Sequence, residues 1–183
     1  MLIKKEIHKN MHGVYTTKII KEGTVVFSYQ DWIQDEKKGW FEITVDELEQ
    51  FDTQTKRKYL KYSYDRDFGI LIGTLDYRQI KHISNFLNHS CNPNLVYSGE
   101  DMIIAKREIL AGEELTLDYG SFIVNVDQDF LCGCNSLKCR HQITKNDWQT
   151  LHREGMRNFP MFIINKLQPV VPDYAGIGIP LPI

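Results

Sequence analysis

The chain of 183 residues is 42% hydrophobic, 25% charged and 11% aromatic, which suits one soluble globular domain with a short appendage and excludes a disordered or fibrous chain. Its 22 Lys and Arg against 24 Asp and Glu leave a net charge of −2, so no basic field recommends it to nucleic acid or to an anionic membrane. The longest apolar runs, residues 102–105 and 161–164, are four residues each, against the roughly 20 that span a bilayer.

The opening MLIKKEIHKN is charged almost at once and lacks the run of roughly seven apolar residues of a secretory signal. A reducing intracellular compartment, nucleus or cytoplasm, is therefore expected, where cysteines serve as metal ligands or free thiols more often than as disulfides.

In chain order, Gly13-Val14-Tyr15, the breaker Lys21-Glu22-Gly23 and Thr24 through Tyr29 read as strand, turn, strand. The stretch TVDELEQF opens with a Thr-x-x-Glu capping box at Thr44 and sets Val45, Leu48 and Phe51 on one helical face. Residues 67–75 read as one buried strand around Ile70, Leu71 and Ile72. Ile80, Ile83, Phe86 and Leu87 then suggest a short helix running into Asn88. A hairpin is expected at Ser98-Gly99-Glu100-Asp101 and a last strand near residues 114–117. Residues 144–159, with Trp148, Leu151 and Met156, predict a helix docked on the domain. Five of the six prolines fall in the last 24 residues, which read as tail rather than core. Many short strands with two or three short helices predict a mainly β fold.

Cys132-Gly133-Cys134 and Cys139 form C-x-C-x4-C, and Cys91, just before Pro93, is the remaining cysteine. A zinc ion takes four such ligands in a tetrahedron. Three cysteines within eight residues flanked by Gly, Asn and Ser make a poor core, so zinc outweighs the reading of small buried hydrophobes. His141 could replace one ligand, and a disulfide at Cys91 stays open. Asn88-His89-Ser90-Cys91-Asn92-Pro93-Asn94 and Ala111 through Gly120 are dense in polar and turn residues. Either alone reads as a cap, a turn or a tyrosine with a satisfied hydroxyl.

Together these segments resemble the SET-domain protein lysine methyltransferases. Asn88-His89-Ser90-Cys91-x-Pro93-Asn94 is similar to the family's N-H-S-C-x-P-N, Gly112-Glu113-Glu114-Leu115-Thr116-Leu117-Asp118-Tyr119-Gly120 to its G-E-E-L-T-F-D-Y-G, and C-x-C-x4-C to its post-SET zinc segment. Met11 through Tyr15, with Ile20 and Gly23, looks like its opening glycine signature. The resemblance spans about residues 8–141. It implies a fold of several small β-sheets with short helices and a pseudoknot-like threading of the C-terminal segment. The implied organisation is a catalytic SET domain over residues 1–120, a post-SET segment over 121–141, and a C-terminal helix with a Pro-rich tail over 142–183.

The implied activity is transfer of methyl groups from S-adenosylmethionine to lysine side chains of proteins, histone tails foremost, with no nucleic-acid or membrane partner. The resemblance implies a cofactor pocket of Asn10, Met11, His12, Tyr62, Asn88 and His89, with Gly133 approaching the adenine. It implies Tyr119 as the catalytic residue, Tyr97, Leu117 and Phe122 about the substrate channel, and one structural zinc on Cys91, Cys132, Cys134 and Cys139. Tyr15 is a further candidate for an aromatic wall. Three departures stand out: Met11 replaces the family's first glycine, which predicts a weaker hold on the cofactor, Asn85 replaces an arginine, and His141 replaces the glycine after Cys139-Arg140. A catalytically weak SET module that binds or scaffolds proteins, and the same chemistry on a non-histone protein or peptide, are the alternatives.

Overall fold

The computed structural model describes residues 1–9, 11–28, 30–31, 39–99, 102–127 and 130–168. Strands β1 (Leu2–His8) and β2 (Met11–Thr16) form an antiparallel pair, and β3 (Val25–Phe27) follows the turn at Gly23. Strand β4 (Phe41–Thr44) runs into helix α1 (Val45–Glu49), then come α2 (Thr53–Leu60) and the hairpin β5 (Tyr64–Asp67) and β6 (Ile70–Gly73). Two 3-10 turns, Tyr77–Gln79 and Ile83–Phe86, feed β7 (Asn88–His89), and the hairpin β8 (Leu95–Ser98) and β9 (Met102–Ala105) precedes β10 (Glu114–Leu117). A 3-10 turn at Tyr119–Ser121 and helices α3 (Asp147–Arg153) and α4 (Met161–Leu167) complete the described chain. None of the described helices is long and apolar enough to cross a membrane.

The strands form three small sheets, ordered β1-β2-β10-β7, β3-β9-β8 and β4-β6-β5. This is the mainly β architecture expected, and the period-2 pattern explains it. Leu115 and Leu117 of β10 point inward with Val14, Leu95 and Ile109, all buried, while intervening residues face the other side. A second cluster joins Ile43, Leu48, Tyr59 and Leu71, and a third joins Val124, Trp148, Phe159 and Ile163. Strand β10 lies between β2 and β7, antiparallel to one and parallel to the other. The late strand thus enters the middle of the earliest sheet.

Several expectations hold. The Thr44 capping box forms, with Glu47 N–H on Thr44 Oγ1 at 3.2 Å and Thr44 N–H on Glu47 Oε2 at 2.7 Å. Strand β10 and the β8–β9 hairpin lie where the residue pattern puts them; Glu100, Asp101, Tyr29 and Asn10 lie outside the described residues.

Others are corrected. Residues 67–75 are not one strand, because Gly69 takes φ 79° and turns the chain back between β5 and β6. The segment before Asn88 is 3-10 rather than α-helical. Helix α2, which the residue pattern does not announce, is a polar helix burying only Tyr59, started by Asp52 accepting from Gln54 N–H at 2.9 Å and Thr55 N–H at 3.1 Å. The helix expected over 144–159 is confined to α3, with Gly155 at φ 98° beyond its end. The Pro-rich end is not all tail, since Ile163 is 0% exposed. Pro160 stands at the N-cap of α4, where its missing N–H costs no intrahelical bond.

Candidate active site and cysteine cluster

The two motif segments meet through backbone pairing, Thr116 opposite Asn88 and Leu117 opposite His89. Asn94 fastens the crossing: it is 4% exposed, its Nδ2 donates to Glu114 O at 2.8 Å and its Oδ1 accepts from Thr116 N–H at 2.9 Å. The last residue of the N-H-S-C-x-P-N motif is thus a side-chain substitute for a strand. Asn94→Ala should leave a carbonyl and an N–H of β10 unpaired and cost about 2–4 kcal/mol, read as a lowered denaturation midpoint with unchanged m.

At the end of β10, the Tyr119 hydroxyl donates to Leu87 O at 2.7 Å, and burial, with the charge of Glu114, raises its pKa to about 12. Tyr119 N–H donates to His89 Nδ1 at 3.1 Å, so His89 carries its proton on Nε2, 3.3 Å from Cys91 Sγ. Burial lowers the His89 pKa, and with both ring nitrogens engaged any polar contact of His89 to a bound group falls to its main chain.

On the other side of β10, Asn88 Nδ2 donates to His12 O at 2.9 Å and to Glu114 Oε1 at 2.7 Å. Both amide hydrogens are taken, so Asn88 presents its oxygen as an acceptor. Tyr15 hydroxyl reaches Glu114 Oε2 at 3.4 Å, and this ring does not line the cavity described below. A Cβ on Gly13 would collide with the Glu114 carboxylate and sit 3.2 Å from Asn88 Nδ2, so a larger residue here would displace the Glu114 side chain. Met11 needs no such freedom. It is the first residue of β2, and the described non-glycine residues of positive φ are Asn135 and His141, so the loss of backbone freedom expected at Met11 does not arise. His141, at φ 63°, occupies a left-handed position that favours glycine.

Tyr119 lines a cavity of about 220 Å³ together with Tyr62, Tyr97, Leu117 and Phe122. The sequence-derived channel residues therefore come together. Tyr62 links this cavity to β2, its ring 5.9 Å from Phe86, which lies 5.6 Å from His12. Asn85, at the cavity edge, donates to His82 O at 3.2 Å and so completes the 3-10 turn.

Asp65, 7% exposed on the same cavity, accepts through Oδ2 from the N–H groups of Val124 and Asn125. Burial pushes its pKa up to about 6 despite those donors. The folded state therefore holds this proton where the unfolded chain, near 3.9, has lost it, and stability falls as pH rises through about 4 to 6. Asp65→Asn retains an oxygen for both N–H groups. Subtracting its pH–stability curve from that of the parent should expose a descending component on the order of 3 kcal/mol across that window; parallel curves would exclude it.

The cysteine thiols form one cluster, the four Sγ atoms lying within 4.8 Å of one another and Cys91 and Cys132 at 3.9 Å. A tetrahedron with 2.3 Å zinc–sulfur bonds has edges of about 3.8 Å, so the spacing fits a metal. Burial raises the Cys91 thiol and pushes Cys132 up to about 12; it also acts against Cys134, which N–H donors from Ser136 and Cys91 nevertheless hold at about 6. A buried thiol group of this kind accommodates several thiolates only around a cation. His141 is exposed and its Nδ1 lies 4.0 Å from Cys139 Sγ, outside the cluster of four. All four cysteines are free, which removes the disulfide at Cys91.

Arg140 joins this cluster to the tyrosine. Its N–H donates to Cys91 Sγ at 3.4 Å, its guanidinium grips both oxygens of the buried Asp118 carboxylate, and its Nε lies 2.8 Å from Asp147 Oδ2 without aiming its hydrogen there. Gly120 must be small because a Cβ would sit 2.8 Å from Arg140 Nη2 and from Asp147 Cβ. Phe130 adds an aromatic edge, its ring 6.0 Å from Tyr119 and 6.1 Å from His89. Beside Gly133 a Cβ would meet no atom within 4 Å, which leaves room for a flat ring against the backbone. Glu114, Arg140, Asp65 and Phe130 do not stand out from sequence as site residues; Glu114 and Arg140 at least lie inside or beside the motifs.

Compared with known proteins, residues 11–120 match the SET domain. The histone-lysine N-methyltransferase SUV39H1-A of Danio rerio is 34% identical over 128 residues, 64% of this chain and 29% of that protein. SUV39H2 of Xenopus tropicalis, a histone-lysine N-methyltransferase, is 29% identical over 152 residues, 70% of this chain and 35% of that protein. The histone-lysine N-methyltransferase ash1 of Drosophila melanogaster is 30% identical over 135 residues, 70% of this chain and 6% of that protein. The chain therefore matches only about a third or less of the length of each relative. The SET match, by contrast, runs over more than half of the chain and ends one residue after Tyr119, and the chain belongs to the SET-domain family.

Proposed function

We propose that the chain transfers methyl groups from S-adenosylmethionine to lysine side chains of proteins, with histone tails, the substrates in the names of its relatives, as the leading acceptor and the nucleus as the place of work. The observation that carries this reading is the Tyr119 hydroxyl, pinned by Leu87 O and lining one cavity with Tyr97, Leu117 and Phe122. Bound cofactor supplies an electrophilic methyl on a positively charged sulfonium.

The rest falls to the chain. An ordinary lysine, of pKa about 10.4, is neutral roughly once in a thousand at pH 7. Leu117, Phe122 and Tyr97 desolvate an amine entering the cavity and favour its neutral form. Tyr119 gives its proton to Leu87 O, so its oxygen is free to accept an amine N–H and aim the nitrogen lone pair along the line of attack. A pKa of about 12 keeps this hydroxyl protonated at neutral pH, which makes it an aligning group rather than a base. The Asn88 oxygen and the Glu114 carboxylate suit the ammonium of the cofactor's amino-acid end, and Met11, His12, Tyr62 and Gly133 complete the proposed pocket. The thiolates of Cys91, Cys132, Cys134 and Cys139 would hold one zinc ion, whose contribution is to order residues 130–141.

The test is transfer of labelled methyl from S-adenosylmethionine to core histones and to a cell extract, with zinc measured on the same protein. Label on histone lysine supports the reading. Folded, zinc-loaded protein that labels neither substrate would overturn it and favour the binding-module alternative.

A further inference from the structure

The cavity at Tyr119 is walled partly by Pro160 and Phe162, which lie beyond both the SET match and the cysteine cluster. The segment carrying them is firmly held. Phe159 and Ile163 are buried with Trp148 and Val124, and the Phe162 ring lies 5.8 Å from Phe68, itself 5.5 Å from Trp148. Asn158 Nδ2 donates to Tyr97 O at 3.0 Å, tying the approach to α4 directly to a residue that lines the cavity.

Resting on the methyltransferase reading above, we propose that Pro160 and Phe162 are specificity-determining residues, a wall that receives an apolar side chain of the protein substrate next to the target lysine. The ionisable groups around them favour that choice. Asp65 Oδ2 is committed to the Val124 and Asn125 amides. Two cations that also line the cavity, Arg66 paired with Glu42 at 2.7 Å and Lys61 5.5 Å from the Tyr62 and Tyr77 rings, oppose a basic residue there. An arginine beside the lysine would lose water and meet like charge, whereas a leucine would cover the Phe162 ring.

The experiment uses the full chain and lysine peptides whose flanking residue is in turn Leu, Ala, Arg or Glu. The parent should favour Leu over Arg in kcat/KM by about tenfold or more, the scale of one apolar contact in a pocket. Phe162→Ala should bring the ratio to within about twofold through a higher KM for the Leu peptide, with kcat and cofactor affinity held. Because Phe162 also packs on Phe68, thermal unfolding is followed, and two further variants guard against a folding defect: Phe162→Gln, polar, should lose the preference, and Phe162→Leu, apolar, should keep it. A parent that favours Arg, or a preference that survives in both Phe162→Ala and Phe162→Gln, overturns the wall. A parent that binds cofactor yet methylates no peptide and no protein overturns the methyltransferase reading itself, and the wall with it.

Discussion

Tyr119→Phe should lower kcat by about 100- to 1,000-fold, the range found when a single aligned polar group is removed from a reacting centre, while cofactor affinity stays within about twofold. The hydrogen bond of the lost hydroxyl is to Leu87 O at 2.7 Å, whereas Asn88 bonds His12 O and Glu114. Leu87 is buried, so its carbonyl loses a partner and stability falls by about 1–3 kcal/mol, a few degrees in Tm for a chain of this size. A pH profile separates alignment from base catalysis. With Tyr119 raised to about 12, the rise of rate with pH between about 7 and 10 belongs to the substrate amine and should persist, at lower height, in Tyr119→Phe. A rising limb that vanishes with the hydroxyl would make Tyr119 the base, and unchanged turnover would remove it from the site.

The elements legible in the sequence are dense in chemistry, and those that are not are sparse in pattern. Strand β10 is legible because Leu115 and Leu117 alternate with polar residues, and α1 because its capping box sits in four consecutive letters. Strand β5 is hidden because its buried residue is an aspartate: Tyr64, Asp65, Arg66 and Asp67 present no apolar alternation. Helix α2 is hidden because TQTKRKYL buries one side chain. Pro160 reads as a breaker, though at an N-cap it opens the helix whose Ile163 is fully buried. Within the site, Asn88, His89, Tyr119 and the four cysteines are found through motifs. The partners that position them are not, because Arg140 meets Asp118 across 22 residues and Glu114 meets Asn88 across 26. The second contact comes from the passage of β10 between β2 and β7 and the first from the return of the cysteine segment to Asp118, and short-range periodicity encodes neither. Met11 and His141 show the converse: a departure from a motif matters only where the backbone needs the missing residue, and positive φ falls on His141 and not on Met11.

Cys132→Ser should abolish both zinc retention and methyl transfer. Cys132 is 7% exposed and lies 3.9 Å from Cys91 across the junction between the motif crossing and the cysteine segment, so its loss removes one of the four ligands at that junction. Structural zinc contributes on the order of 10 kcal/mol in small zinc-dependent segments, and here that energy would be local. The segment's other hold on the tyrosine is Arg140, whose N–H contacts Cys91 Sγ while its side chain grips Asp118. Release of the metal should therefore free residues 130–141, withdraw Phe130 from Tyr119 and His89, and leave the β1-β2-β10-β7 sheet folded with its Val14, Leu95 and Leu115 core. The parent should carry about one zinc per chain by elemental analysis, and Cys132→Ser or prolonged chelation should reduce it below about a tenth. Protease nicking should then fall within 130–141 rather than across the domain. His141→Ala, which removes a neighbour of Cys139 and none of the four thiols, should keep its zinc. Metal-free parent protein with the segment still protected would mean that the four thiols pack as ordinary small hydrophobes, and the link from cysteine cluster to Tyr119 would then rest on Arg140 and Asp118 alone.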